Sequence, residues 1–246
     1  MSVSTTRGKP VTPTESIDRD GAIPPLENGD RLSRPEFERR YDATPNVKNA
    51  ELIKGVVYLR LMVPQRGHGG QHADLMGWLG TYAAYTPGLD AGSSCHVRLD
   101  WDNEPQPDCV LFIAPESGGQ VKIDAEGYLE SAPDLVAEVG SSSVSYDLHD
   151  KLDAYRRNGV REYLVWRVLD RQTDWFVLRG ERYELIAAAP DGTLRSTVFP
   201  GLWLDTAALL RGDLKAVLAV LQHGLNSPEQ ADFAAHLQRS SIEPLG

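Results

Sequence analysis

Two short, almost uninterrupted apolar runs, at 109–114 and 134–140, constrain this chain more than any other feature. Apolar runs of this length, bounded by polar and turn-forming residues, are typical of interior strands covered on both faces of a sheet. Helical patterns occur at 33–41, 68–86, 146–157 and 206–221, and three strand-like runs joined by short turns follow one another between 162 and 189. This order predicts an α/β (α+β) fold class, in which helices flank a mixed β-sheet.

One domain is the simplest organisation for 246 residues. Residues 1–29 carry Thr, Ser, Pro and Gly without apolar periodicity and are interpreted as a flexible leader. Residues 30–225 are assigned to the domain, with further strands expected at 56–63 and within 93–100. Residues 226–246 are interpreted as a polar C-terminal tail.

Composition limits the cellular compartments and the partners expected for this chain. No apolar run approaches the roughly 20 residues of a membrane helix, and the first residues lack the apolar stretch of a secretory signal. The two cysteines, Cys95 and Cys109, form no CxxC pair, so no disulfide framework or thiolate zinc site is indicated. We therefore expect a cytoplasmic protein without a membrane partner. The net charge of −10 opposes long-range attraction to nucleic acid, although a local basic strip and metal ions can still recruit phosphate.

Two carboxylates stand in unusual positions beside the apolar runs. Asp108 follows the Pro-Gln-Pro sequence at the start of one run, and Glu138 lies inside the other. A strand-end Asp facing solvent is an ordinary explanation for Asp108, but a lone carboxylate among Leu, Val and Ala is costly unless it is paired or binds a cation. If the two strands are adjacent, Asp108 and Glu138 can converge on a hard cation such as Mg²⁺ or Mn²⁺.

Lys151 lies 13 residues after Glu138, on the helix that follows a Ser-rich turn. Its ammonium could orient an attacking water and offset the charge that develops on a phosphate. Position alone favours a simpler role, an ion pair with Asp147 one helical turn earlier on an exposed face.

Other polar groups carry weaker signals. His68 and His72 have a spacing compatible with zinc, but two glycines lie between them and no third ligand is evident. We expect His72 to cap a helix or line a cleft. The acidic residues at 100, 102 and 104 lack the spacing of a calcium loop and are interpreted as a solvated loop. Three consecutive serines at 141–143 have no matching His partner, which argues against a serine hydrolase.

The stretch from QPDCVLF through APDLVAEVGSSSVSYDLHDKLDAYRRNGVREYLVWRV resembles the Uma-type family of restriction endonucleases within the PD-(D/E)XK superfamily. The upstream ELIKGVVYL and HADLMGWL segments are also similar to the opening of that family, so the resemblance covers roughly residues 35 to 212. Its most specific parts are the PD dipeptide, the E-V-x-S strand end and the run D-L-x-x-K-L-x-x-Y-x-x-x-G-V-x-E-Y. It implies a restriction-endonuclease-like fold and hydrolysis of phosphodiester bonds.

The resemblance also implies roles for individual residues. Asp108 and Glu138 would bind the metal, with the Val139 main-chain carbonyl as a third ligand. Gly140 stands where the family pattern usually places a Lys, and Lys151 on the following helix would replace it. Glu51 matches an acidic residue at the edge of the active site, although an exposed Glu beside a turn is an equally good explanation. Position in the chain, and not the resemblance, makes His72, Arg156 and Arg157 the candidate substrate-binding residues. The two arginines form a basic strip with Arg161 beside Lys151, which would contact phosphates or cap a helix C-terminus.

Two hypotheses of different classes follow. The first is a Mg²⁺- or Mn²⁺-dependent endonuclease acting on nucleic acid, expected to be DNA. The second is a catalytically inactive module on the same fold that serves in protein interaction or regulation, which the acidic balance and Gly140 favour. A homodimer with twofold symmetry is compatible with either hypothesis.

Overall fold

The computed structural model describes residues 22–59, 68–141 and 143–242. Seven α-helices are found in these residues: α1 (Arg34–Asp42), α2 (Gly70–Ala84), α3 (Val144–Tyr146), α4 (Leu152–Arg157), α5 (Thr206–Leu210), α6 (Leu214–Leu225) and α7 (Pro228–Ile242). A π-helical turn (Asp147–Lys151) joins α3 to α4. The strands are β1 (Ala50–Ile53), β2 (Val56–Leu59), β3 (Leu89–Ser93), β4 (Val97–Arg98), β5 (Cys109–Ile113), β6 (Lys122–Ile123), β7 (Leu129–Glu130), β8 (Leu135–Gly140), β9 (Glu162–Arg167), β10 (Gln172–Arg179), β11 (Arg182–Leu185), β12 (Leu194–Arg195) and β13 (Trp203–Leu204).

Six strands form the central sheet in the order β11-β10-β9-β8-β5-β3. Only the pair β8–β9 is parallel within this sheet, and the helical segment α3–α4 provides the crossover between those two strands. The mixed sheet with flanking helices confirms the predicted fold class. The two apolar runs become β5 and β8, which pair with each other in the middle of the sheet.

Both faces of the sheet are covered, as the apolar runs predicted. On one face Cys109 and Leu111 of β5 join Ala137 and Val139 of β8 in a large cluster with α2, α5 and α6. On the other face Val110 and Val136 join a second cluster that includes Tyr155 of α4. Because successive residues of a strand point to opposite faces, Asp108 and Glu138 belong to the face of the second cluster.

The hairpin β1–β2 lies outside the central sheet and packs with α1 in a third apolar cluster. Reciprocal main-chain hydrogen bonds of 3.0 and 2.7 Å between Leu52 and Glu104 tie β1 to the segment that leads into β5. This attachment brings Glu51 toward the strand end that carries Asp108.

Two sequence expectations differ from the structure in this part of the fold. The strand expected within 93–100 is reduced to the two residues of β4, while the sheet strand β3 ends earlier, at Ser93. The helix expected over 206–221 is two helices, α5 and α6. Gly212 breaks it with a φ of +72°, and the Asp213 side chain caps the second helix by accepting from the Ala216 N–H at 3.1 Å.

The chain ends also differ from expectation. Instead of a polar tail, 228–242 form α7, which buries Leu237 and packs Phe233 against the large cluster. These two residues are four apart on a mostly polar helix, so the apolar stripe is too narrow to stand out in the sequence. Leu26, within the expected leader, is buried against the α1 cluster. Residues 1–21 and the second half of the strand expected at 56–63 lie outside the described residues. None of the described helices has the length and apolarity needed to cross a membrane.

Candidate active site

Asp108 and Glu138 lie opposite each other at one end of the β5–β8 pair. The antiparallel register places Cys109 opposite Ala137, so the next position along it places Asp108 opposite Glu138. Directly opposed residues of an antiparallel pair have side chains on the same face, about 5 Å apart at Cβ. The two strands are thus adjacent, which is the condition for the two carboxylates to converge, and both side chains are buried.

Asp108 is held by three neighbouring groups. Its Oδ2 accepts a hydrogen bond from the Val139 main-chain N–H at 2.8 Å and lies 3.3 Å from His68 Nε2. Its main-chain carbonyl oxygen lies 2.8 Å from His72 Nε2, which is also 2.9 Å from the Ser93 hydroxyl. The two histidines therefore contact the Asp108 residue from α2 and the turn before it.

Lys151 lies at the centre of the site, at the end of the π-helical turn. Its Nζ is 2.8 Å from Oε1 of Glu138 and 2.8 Å from Oε1 of Glu51. Its side chain is only 1% exposed, which excludes the exposed-face ion pair as its main role. Asp147 is indeed near, at 4.0 Å, but that carboxylate is buried as well.

Glu51 and Tyr155 are two further buried residues of this site. Glu51 is buried in β1 and accepts the main-chain N–H of Gln106 at 2.8 Å, so it is not an exposed Glu beside a turn. Tyr155, one turn after Lys151 on α4, donates its hydroxyl to Oε1 of Glu138 at 3.0 Å. Lys151 and Tyr155 both contact Glu138 because residues four apart lie on the same helix face.

The electrostatics of the site are dominated by burial among like charges. Burial raises the pKa of Glu138 to about 8, against the opposing effect of the Lys151 ammonium. The carboxylates of Asp108, Asp147 and Glu51 raise it further. Among the described residues, the carboxyl groups of Glu138, Glu51 and Asp147 lie within 4.0 Å of the Lys151 ammonium, and that of Asp108 acts on Glu138 from the neighbouring strand. Such a cluster favours either a bound proton or an additional cation.

The surroundings of Gly140 would crowd a side chain at that position. A Cβ on Gly140 would lie 2.9 Å from Cγ2 of Val144 and 3.0 Å from Oδ2 of Asp147. These contacts are closer than van der Waals distance, and the space beside the strand end is filled by the turn that leads to Lys151. The ammonium reaches Glu138 from the helix instead of from the strand.

The donor chemistry of the site suits a hard cation, but a complete side-chain ligand set is not preassembled. Within the described residues, no group of three or more His, Cys, Asp or Glu side chains is arranged to hold a metal ion. Asp108 and Glu138 supply carboxylate oxygens of the kind that Mg²⁺ and Mn²⁺ prefer. The N–H and C=O of one strand residue point to the same edge of the strand. Because the Val139 N–H donates to Asp108, the Val139 carbonyl also faces Asp108.

The remaining candidate residues lie farther from this centre. Arg156 donates to Asp153 and to the Glu181 carbonyl oxygen, both at 2.8 Å, and Arg157 lies 3.7 Å from Asp153. Their roles in substrate binding stay predictions. The acidic loop is solvated only in part, because Glu104 is buried and lies 2.9 Å from Nδ1 of His96.

Comparison with known proteins places the chain in a family. The model of the Uma2 family, described as "Putative restriction endonuclease", matches residues 34–207, which is more than half of the chain. The chain belongs to this family. Every residue of the Uma2 site described above, from Glu51 to Tyr155, lies inside the matched segment.

The fold of this Uma2 chain is also found in a solved structure. A protein of Anabaena variabilis ATCC 29413, whose crystal structure is described as that of "a putative nuclease belonging to DUF820", aligns with a TM-score of 0.54. The two are 16% identical, and the alignment covers 71% of this chain and 97% of the other. At this identity the likeness shows the nuclease fold alone. No curated protein matches the chain.

Sequence reasoning missed several members of the Uma2 site. Asp147 was considered only as a surface partner of Lys151, and the contacts of Tyr155 and Gln106 were not anticipated. His68 was considered only as a zinc ligand beside His72. The ring centroids of these two histidines lie 6.2 Å apart. The helical spacing 147, 151, 155 is the signal that could have found two of these residues, since it places them on the face that carries Lys151.

Proposed function

We propose that this protein is a metal-dependent endonuclease that hydrolyses phosphodiester bonds in DNA. The observation that carries the proposal is the buried contact of Lys151 with both Glu51 and Glu138, near the strand end that carries Asp108 and where a Cβ on Gly140 would crowd Val144 and Asp147. Membership of the Uma2 family and the nuclease fold support the reaction class.

Asp108, Glu138 and the main-chain carbonyl of Val139 would hold Mg²⁺ or Mn²⁺. When bound, the metal polarises a phosphoryl oxygen and increases the acidity of water. Its charge would also offset the excess of carboxylates that raises the pKa of Glu138. Asp108 is kept in position by the Val139 N–H, so its carboxylate faces the strand end before any ligand arrives.

Lys151 would orient the attacking water and stabilise charge on the phosphate. Two carboxylates fix its ammonium at 2.8 Å, so the group is preorganised and little reorganisation is needed during reaction. Glu51 positions Lys151 and is itself positioned by the Gln106 N–H. All of these side chains are buried, so a phosphodiester reaches them only when the surrounding segments open.

The two cysteines fit a cytoplasmic location, which we include in the proposal. Cys95 and Cys109 are free thiols, and burial raises the pKa of Cys95 to about 11. Thiols that persist in this form are typical of a reducing compartment.

The test is nicking of supercoiled plasmid with Mn²⁺ or Mg²⁺. Wild type should cleave, whereas Asp108→Asn and Lys151→Met should not, at equal folded fractions by circular dichroism. Asp232→Ala and Lys215→Ala, two exposed positions on α7 and α6, serve as matched controls and should retain cleavage. Absence of cleavage by wild type with either metal, on double- and single-stranded substrates, would contradict the proposal and favour the inactive interaction module.

A further inference from the structure

A surface cavity of about 670 Å³ lies beside the active site, between the β1–β2 hairpin, the start of α1 and the loop before β5. The Trp101 side chain forms one wall and is 67% exposed. The other lining residues used below are Arg31, Ser33, Lys54 and Gly55. A large exposed indole in a cavity with basic neighbours has the composition of a ligand site.

Trp101 is presented by a loop with fixed geometry. Asn103 donates its side-chain amide to Asp100 at 2.8 Å and accepts the Lys54 main-chain N–H at 2.8 Å. The Trp101 carbonyl accepts the Arg34 N–H at 2.8 Å, which ties the loop to the first turn of α1. The indole is therefore exposed on an ordered support, so binding a flat ligand there costs little conformational entropy.

Positive charge surrounds the indole on one side. Arg31 and Lys54 line the cavity, and α1 begins there with the Ser33 hydroxyl making no capping hydrogen bond. A helix N-terminus adds positive potential and favours phosphate. Nζ of Lys54 forms ion pairs with Asp150 at 3.2 Å and with Asp153 at 2.9 Å. The Asp102 carboxylate also lines the cavity. The charge balance thus suits one phosphate rather than a long duplex backbone.

The cavity is connected to the active site by a short series of contacts. Arg31 and Lys54 act electrostatically on Tyr58, where their charges oppose the rise in pKa that burial and Asp150 cause. The Tyr58 ring lies 4.2 Å from the Tyr146 ring, between centroids, and Nζ of Lys151 lies 5.5 Å from the Tyr146 centroid. Tyr58 and Tyr146 thus lie between the basic side chains of the cavity and Lys151.

We infer that this cavity binds one unstacked nucleotide of a single-stranded nucleic acid segment, with the base on Trp101 and its phosphate at Arg31 and the start of α1. Aromatic rings accept any base in this way, so the site favours single strands without reading sequence. The inference rests on the proposed nuclease function for its ligand class. It deepens that function by naming single-stranded or locally opened nucleic acid as the preferred substrate.

The test measures binding without cleavage. Fluorescence anisotropy of a fluorescein-labelled oligothymidylate is recorded at low salt in EDTA, with a duplex of the same length for comparison. Wild type should bind the single strand more tightly than the duplex. Trp101→Ala should weaken single-strand binding by about five- to a hundredfold, the range for one base stacked on an aromatic ring, and Trp101→Phe should retain most of the affinity.

Two further variants sharpen the result. Leu169→Ala, at another exposed apolar residue, should bind as wild type does. Arg31→Gln should lower the slope of log K against log salt by about 0.7, the value for one phosphate contact on a single strand, whereas exposed Arg211→Gln should not. Equal affinity of wild type and Trp101→Ala, or a preference for the duplex, would overturn the inference even if plasmid is cleaved. Trp101-dependent binding without cleavage of either plasmid or single-stranded substrate would uphold the inference and contradict the proposed nuclease.

Discussion

Two buried glutamates on neighbouring strands, Glu138 on β8 and Glu162 on β9, have opposite surroundings. Glu162 accepts hydrogen bonds from neutral groups: the Thr197 N–H and hydroxyl at 2.7 and 2.9 Å, the Ser196 hydroxyl at 2.8 Å and the Trp175 indole at 3.2 Å. Glu138 instead shares the ammonium of Lys151 with Glu51 and lies among further carboxylates.

The comparison separates a carboxylate that the fold compensates from one for which we propose a function. Glu162 connects the sheet to the loop 196–198, and each of its oxygens has donors, so its burial is compensated within the fold. Glu138 is compensated only in part, because its neighbours repel it. A carboxylate that the fold leaves with excess negative charge is one that a cation can stabilise, and such sites are commonly functional.

The largest difference is expected in activity. Glu138→Gln should abolish plasmid nicking because it removes a metal ligand and the negative charge beside Lys151. Glu162→Gln should cleave like wild type per folded molecule, since Glu162 contacts neither Asp108 nor Lys151 in the described structure. Nicking by Glu138→Gln at the wild-type rate would remove Glu138 from the mechanism.

The free energy of unfolding should depend more on Glu162 than on Glu138, the reverse of the order expected for activity. Glu162→Ala leaves several buried donors without an acceptor and should lower the free energy of unfolding by about 3 kcal/mol. Glu138→Gln in metal-free protein relieves repulsion among the carboxylates, so its stability should equal or exceed that of wild type. Urea denaturation in EDTA measures both. A large loss for Glu138→Gln would show that its pairing with Lys151 outweighs the repulsion.

A third expected difference between Glu138 and Glu162 is how far each variant is stabilised by bound metal. Saturating Mn²⁺ should stabilise wild type and Glu162→Gln equally, by about 2.7 kcal/mol at one hundred times Kd. Glu138→Gln should show no such increment. Thermal unfolding with Mn²⁺ and with EDTA provides the measurement, and Ca²⁺-free buffer with matched ionic strength is the control. An equal increment in all three proteins would place any bound metal away from Glu138.

A fourth difference is the dependence of metal-free stability on pH. Glu138 has a pKa of about 8 in the folded protein, against an ordinary value of 4.5. Between these values the folded protein holds a proton that the unfolded chain has lost, so stability falls as pH rises from about 4.5 to about 8. Burial also raises the pKa of Glu162, which adds to the fall in the same direction.

Glu138→Gln removes this titrating group, so the free energy of unfolding should fall less steeply with pH up to about pH 8. Urea denaturation in EDTA across that pH range measures the difference. An unchanged slope in the variant would mean that Glu138 is ionised throughout. In wild type, metal binding should release a proton below pH 8, so affinity for Mn²⁺ should increase with pH over the same interval.

Much of this site could be predicted because its strands leave strong local patterns. The apolar runs identified β5 and β8, and a charge inside such a run identified Glu138. The spaced motif around Lys151 pointed to the helix after β8. Asp147 and Tyr155 were missed because a Lys with an acidic residue four positions earlier is commonplace on exposed helices, and sequence alone does not show that this helix face is buried.

By itself, the sequence determined the interior strands, the helix that follows β8, Asp108 at the start of one strand and Glu138 inside the other, because each depends on patterns a few residues long. The tertiary structure alone decided that Glu51 meets Lys151 across a separation of 100 positions in the chain, and that the Trp101 loop, the β1–β2 hairpin and α1 enclose a cavity. Such contacts follow from how three apolar clusters pack against one another, and packing depends on the whole chain at once.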